Sequence, residues 1–357
     1  MPVRSILAPR GATYGVSSPL AALLLLAVGC SSTAVENDVE PGEVGGGMAA
    51  EDDSGYVDDD DGAGETGGTG EDEPPSGSTG GPDEPPSMDD AGDGAPPLSA
   101  GCPEDWPRGW VFCEDFEALD DPLDSFSQYA GDDGAFKIDE GVGAMRAHYT
   151  AGDETAGWVL ISFGASPIDH GGGTTHAGEE QFDEVYWRVK VKHELGWPDV
   201  GPGLLGRASA FATEDWAEAL VAQLQSSGNA TTLEAVPLTC IADESVACAG
   251  FNDRAALQEL DTINGETEIF SSALSGEWHC IEAHVRLNEP GAADGVFEFW
   301  IDGKRENGRD DIDWRGAWGD YGLNGVTLEN FWPGGATADL TRWMDDVVVS
   351  REPIGCD

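Results

Sequence analysis

Apolar and polar residues alternate in several short runs beyond residue 180. In Val185-Tyr-Trp-Arg-Val-Lys-Val-Lys192, one face carries Val185, Trp187, Val189 and Val191. The other carries Tyr186, Arg188, Lys190 and Lys192. A period of two is the mark of a half-buried strand. His279 to Leu287 repeats it: Ile281, Ala283, Val285 and Leu287 form the apolar face, and Cys280, Glu282, His284 and Arg286 the polar one. Val296 to Ile301 follows, with Glu298 and Trp300 on its polar side. Asp302-Gly303 then predicts a tight hairpin, because both positions tolerate a left-handed backbone. Val347-Val348-Val349 predicts a last strand. The stretch from Glu214 to Leu224, rich in Ala and Leu, fits either a helix or a strand followed by a loop. The pattern as a whole predicts an all-β domain, a sandwich or jelly roll with one shared core.

A different pattern opens the chain. Arg4 and Arg10 precede the apolar run Leu23-Leu-Leu-Leu-Ala-Val-Gly-Cys30, and no acidic residue occurs in the first thirty positions. A basic start, an apolar stretch and small residues before a cut site predict a secretory signal over 1–29. Gly29-Cys30 resembles a bacterial lipobox, which implies lipidation of Cys30 and attachment to a membrane. Ser31, not aspartate, follows; by resemblance to enteric sorting rules this implies the outer membrane or cell surface.

Composition then divides the remainder. Residues 31–100 hold 20 acidic side chains, no Lys or Arg, and no Trp or Phe. Such a segment buries too little apolar surface to offset its ordering entropy, so 30–100 is expected to be a disordered acidic linker. As a flexible coil it would span on the order of 45–50 Å. An acidic tail that binds a partner or calcium is the rival reading. Residues 101–357 hold all 12 Trp and all 12 Phe, with 49 acidic and 15 basic residues, a net of −34. That sign opposes nucleic acid and anionic lipid as partners. Six cysteines lie in this region, an even number that favours disulfides in an exported protein. Cys240 and Cys248 flank a short loop and are the pair that spacing suggests. Cys102, Cys113, Cys280 and Cys356 stay unassigned. The absence of Cys-x-x-Cys argues against zinc.

Three blocks resemble the concanavalin A-like jelly rolls of glucuronan lyases and a related cellulose-induced secreted fungal protein. They are Val185 to Val191, Trp278 to Lys304, and Leu328-Glu-Asn-Phe-Trp-Pro-Gly-Gly335 leading to Arg342-Trp-Met-Asp-Asp-Val-Val-Val-Ser350. Glu114-Asp-Phe-Glu117 fits the first strand of the same pattern. Lipid-anchored jelly-roll proteins of predatory and marine bacteria are similar too. The resemblance implies a sheet face that forms a ligand groove for extracellular polysaccharide. Tyr186, Arg188, Lys190, Glu282, His284, Arg286 and Trp300 would then line it. A lyase acting on a uronic acid polymer needs a carboxylate neutraliser, a base and an acid. Arg188 or Arg286, His284 and Tyr186 respectively suit those roles; cross-strand ion pairs on a polar sheet face would use the same residues. The lyase relatives carry a histidine and an arginine before a glutamine in a mid-domain strand. Glu218 to Gln225 keeps glutamines without either, which favours carbohydrate binding over cleavage. A structural or adhesive module without a sugar ligand is the third expectation.

Trp314, Trp318 and Trp332 lie in Gly-rich stretches and suit either sugar stacking or core capping. The resemblance also implies a structural calcium ion, with Glu117 and Asp346 as its ligands. His170-Gly-Gly-Gly-Thr-Thr-His176 reads as a turn or, less simply, as a metal loop.

Overall fold

The protein is described from a computed structural model over residues 101–171, 173–226 and 231–356. The signal segment 1–29, Cys30 and the acidic linker 30–100 lie outside the described residues. In chain order the strands are β1 (Trp110–Glu114), β2 (Gln128–Ala130), β3 (Phe136–Asp139), β4 (Ala144–Tyr149), β5 (Thr155–Phe163), β6 (Thr175–His176) and β7 (Glu184–His193). There follow β8 (Leu204–Phe211), β9 (Glu218–Ser226), β10 (Leu233–Thr239), β11 (Ile241–Ala242), β12 (Ser245–Val246), β13 (Gln258–Glu259) and β14 (Ile263–Asn264). The last five are β15 (Trp278–Arg286), β16 (Gly295–Ile301), β17 (Lys304–Ile312), β18 (Gly325–Phe331) and β19 (Leu340–Ser350).

Two sheets share the core, giving a β-sandwich of the jelly-roll type. Among the described residues the first is eight-stranded, in the order β17-β16-β15-β7-β19-β4-β3, with β1 on β19. The second is nine-stranded, in the order β13-β10-β9-β8-β18-β5-β2, with β14 on β10 and β6 on β5. Alternation places the inward side chains as the sequence predicts: Val185, Trp187, Val189, Val191, Ile281, Ala283, Val285 and Leu287 are all buried. Each such side chain contributes about 1.5–3 kcal/mol of transfer free energy. The hairpin at Asp302-Gly303 forms between β16 and β17, with φ of 51° and 74°. Positive φ at both central positions suits the right-handed twist of the flanking strands.

The ambiguous stretch resolves as strand: β9 begins at Glu218. Its apolar residues serve both faces, which hides the alternation. Ala219, Leu220, Ala222 and Leu224 enter the main core, while Val221 packs with Val236 and Leu238 on the other side. Between the sheets lies Arg342, wholly buried. Its Nε donates to Asn330 Oδ1 at 3.1 Å, and an Nη donates to the Glu329 carbonyl at 2.7 Å. This links β19 of one sheet to β18 of the other. Burial holds the Arg342 pKa below its ordinary value.

Three disulfides close the frame. Cys240–Cys248 forms as the spacing suggests, and Cys102–Cys113 and Cys280–Cys356 take up the other four cysteines. The first new pair ties the start of the domain to β1. The second pins the C-terminal segment to β15.

Candidate functional site

The outer face of the eight-stranded sheet does bring the expected residues together. Tyr186 on β7 pairs in register with His284 on β15, which pairs with Glu298 on β16. Their chemistry, however, is spent within the protein. His284 lies 2.7 Å from Glu184 and 2.9 Å from Glu298, so both ring nitrogens are engaged. Its ring stacks on Tyr186 at 4.1 Å with an interplanar angle of 2°. Burial and the carboxylates Glu184, Glu298 and Glu282 push the Tyr186 hydroxyl up to about 12. The C-terminal segment crosses this face. Arg188 donates to the Gly355 carbonyl at 3.0 Å. Glu282 accepts from the Ile354 and Gly355 amides at 2.8 and 2.9 Å. Lys190 pairs with Asp346 at 2.5 Å. Arg286 donates to the Asp294 carbonyl at 3.0 Å. Trp300 sits beside Glu282 in the register and is half-buried. The first site expected from alternation is therefore a structural network. Alternation shows which residues share a face and cannot show what covers it.

The aromatic expectation is corrected in the same way. Trp314, Trp318 and Trp332 are 1%, 4% and 4% exposed, too little to stack on a sugar. Trp332 packs edge-on against Tyr149 at 5.4 Å, and Trp314 lies tilted against Phe297 at 5.9 Å. They cap the core. Of the two implied calcium ligands, Asp346 pairs with Lys190 Nζ. Among the described residues no three His, Cys, Asp or Glu side chains converge as metal ligands. His170 and His176 pack on different rings, Trp216 and Phe112, and burial lowers both pKa values. They form no shared metal loop.

A cleft of about 330 Å³ lies instead on the outer face of the nine-stranded sheet. Trp158 and Gly157 of β5, Leu204 of β8, and Glu329, Asn330 and Phe331 of β18 form its floor. The loop carrying Phe251, Asn252 and Arg254 forms its wall. Beneath the wall Arg207 organises the site. Its guanidinium lies 2.6 Å from Glu329 and 3.4 Å from Glu218, and donates to Asn252 Oδ1 at 2.8 Å. The Phe251 ring covers it at 4.5 Å. Glu218 also accepts from the Ser209 hydroxyl and the Asn252 amide, each at 3.0 Å. Asn252 takes φ of 56°, a conformation that asparagine tolerates better than most residues, and these bonds hold it there. Burial pushes the Glu329 carboxyl above its ordinary value against the pull of Arg207.

Next to Arg207 runs a row with unmet hydrogen-bonding capacity. Thr327, Arg207 and Gln223 are neighbours in register on β18, β8 and β9. All three are buried, and Thr327 Oγ1, one Arg207 Nη and Gln223 Oε1 have no hydrogen-bond partner among the described residues. Gln223 donates to Gln225, and Gln225 to Glu234, at 2.5 and 2.6 Å. Buried polar atoms without partners are rare in a finished core and mark a place where something polar can be taken up.

Sequence reasoning missed this site. Two signals were available. Arg207 is a lone charge inside the apolar run Leu204 to Phe211, and Glu329 sits opposite Leu328 on a strand. What joins them is the strand order β9-β8-β18, which no local pattern encodes.

No family model matches the chain, and no curated protein matches it. Among solved structures the chain is similar to a marine alginate lyase from Aplysia kurodai, at 15% identity and a TM-score of 0.48, over 68% of this chain and 99% of that one. It is also similar to an endo-β-1,4-glucuronan lyase from the fungus Trichoderma reesei, at 12% identity and a TM-score of 0.44, over 68% and 96%. A third is an alginate lyase with bound alginate tetrasaccharide, at 11% identity and a TM-score of 0.44, over 68% and 97%. At this level the likeness assigns neither activity nor substrate to this chain.

Proposed function

We propose that this is an exported, lipid-anchored polysaccharide-binding protein that holds a weakly charged glycan, such as a glucan, in the cleft of the nine-stranded sheet. The lining of that cleft carries the reading. Trp158, Phe251 and Phe331 offer partly exposed aromatic rings. Asn252 adds an amide group, and the charges of Arg254 and Glu329 oppose one another. Flat rings with a few placed polar groups suit pyranose faces and their hydroxyls. Binding without cleavage is favoured because, among the described lining residues, Glu329 is the one carboxyl and stands without a tyrosine or histidine beside it. A β-elimination needs both a base and an acid there.

The location rests on sequence. Lipidation at Cys30 would anchor the chain, and the acidic segment would carry the domain away from the bilayer. Three disulfides support an oxidising compartment.

Affinity electrophoresis of the protein through gels containing glucans, alginate or glucuronan tests the reading. Retardation by a glucan is expected, weakened roughly tenfold by Trp158→Ala, which corresponds to about 1.4 kcal/mol. No retardation by any of these polymers would overturn it. Unsaturated products appearing in the ultraviolet would replace binding with lyase activity.

A further inference from the structure

A second, separate surface lies on the eight-stranded sheet. Trp278, Lys192, Trp343, Arg146 and Lys137 form one transverse row, each in register with the next across β15, β7, β19, β4 and β3. All five face outward and are half-buried or exposed. At about 4.8 Å per strand, the row is about 19 Å long.

Among the described residues the row gathers three cations that lack carboxylate partners. The domain has 49 acids to 15 bases. Lys190, Lys304, Arg305, Arg309, Arg315 and Arg351 each pair with a carboxylate, whereas the exposed Arg108, Arg254 and Arg286 stand apart from one another without such a pair. Among the described residues, Lys192, Arg146 and Lys137 have no carboxylate within 4.0 Å. Lys192 Nζ sits instead between two indoles, 4.9 Å from the ring of Trp278 and 4.9 Å from that of Trp343. Such an arrangement fixes an ammonium without neutralising it. Arg146 Nε is buried and has no hydrogen-bond partner among the described residues. Asp139, which accepts from Trp343 Nε1 at 3.1 Å, flanks the row and orients that indole.

From this we infer that the row Trp278–Lys192–Trp343–Arg146–Lys137 is a binding platform for a carboxylated polysaccharide, distinct from the cleft on the other sheet. Lys192 and Arg146, separated by the Trp343 indole, match a polymer whose carboxylates are spaced by pyranose rings, and Lys137 extends the cationic end. Carboxylates take the cations, and apolar sugar faces lie over the rings. The net charge of the domain does not forbid this. The row is about twice the screening length of about 8 Å at physiological salt, so the ligand responds to local charge. Nucleic acid fits less well. It carries one charge per about 1.7 Å of duplex, far more than three cations can neutralise, and meets the rest of an acidic surface.

The test uses the full chain with polyguluronate, a neutral glucan, duplex DNA and anionic phospholipid vesicles as probes. Polyguluronate binding at physiological salt is expected. The triple variant Lys137→Gln, Arg146→Gln, Lys192→Gln should weaken it roughly tenfold or more while glucan retardation stays within about twofold. Lys192→Arg should keep the affinity, since a guanidinium also fits between indoles. Trp158→Ala in the cleft should show the reverse selectivity, so failure of one site is told apart from failure of the other. Unchanged polyguluronate affinity in the triple variant, with its thermal unfolding also unchanged, would overturn the platform. Binding of DNA or vesicles through these residues without polyguluronate binding would overturn it too.

Discussion

Arg207 shows what a single charge does when it is buried among carboxylates. It neutralises Glu218 and Glu329 and fixes Asn252, so the cleft wall depends on it. Arg207→Met should leave two buried carboxylates without their counter-ion, at a cost of about 3–5 kcal/mol in chemical denaturation. Asp345 carries the clearest pH signature. Burial first, then the neighbouring Asp346, pushes its carboxyl up to about 7. The folded state therefore binds this proton more tightly than the unfolded chain, whose value is near 3.8. The contribution of Asp345 to stability is greatest below that lower value and is lost as pH rises towards 7. Asp345→Asn keeps the oxygen that accepts from the Asp346 amide. The difference in melting temperature between variant and wild type is expected to grow in the variant's favour from pH 4 to pH 7 and then level off. A flat difference would contradict the assignment.

Elements depend on what crosses them. The C-terminal segment covers the outer face of β7 and β15 through Arg188, Glu282 and the Cys280–Cys356 bond, which spans 76 residues. Replacing both cysteines by serine should cost roughly 4 kcal/mol by loop entropy and expose Arg188 and Glu282 to solvent. Hydrogen exchange at Ile354 and Gly355 would report the release. Trp332, at the end of β18, packs between Tyr149 and Trp197. Trp332→Ala should lower stability by about 3–5 kcal/mol, as expected of a core residue. A stacking residue would have changed glycan affinity with little effect on folding.

For the whole molecule, the two sheets present two surfaces of different character. One is a cleft with balanced charge, and the other an open row of three cations and two indoles. Raising salt should weaken polyguluronate retention strongly and glucan retention little, since only the first relies on exposed charge. Equal salt sensitivity in affinity electrophoresis would argue against two sites.

Much of this architecture was legible without coordinates. Alternation in β7, β15 and β16 reports which residues face the core, because the pleat has a period of two. Asp302-Gly303 specifies its own turn, and the short Cys240–Cys248 loop its own bond. Those are local properties, set within a few residues of chain and so readable from the residues alone. Strand order, and what lies over a face, are not local. Tyr186, His284 and Arg188 share a face as alternation requires, yet Glu184, Glu298 and the distant C-terminal segment occupy them. Trp314, Trp318 and Trp332 look like loop aromatics until packing closes over them. Arg207, Glu218 and Glu329 are more than a hundred residues apart at the extremes and meet only because β8 lies between β9 and β18. The tertiary structure alone decided where the cleft is, since a site of this kind is made by long-range pairing of strands.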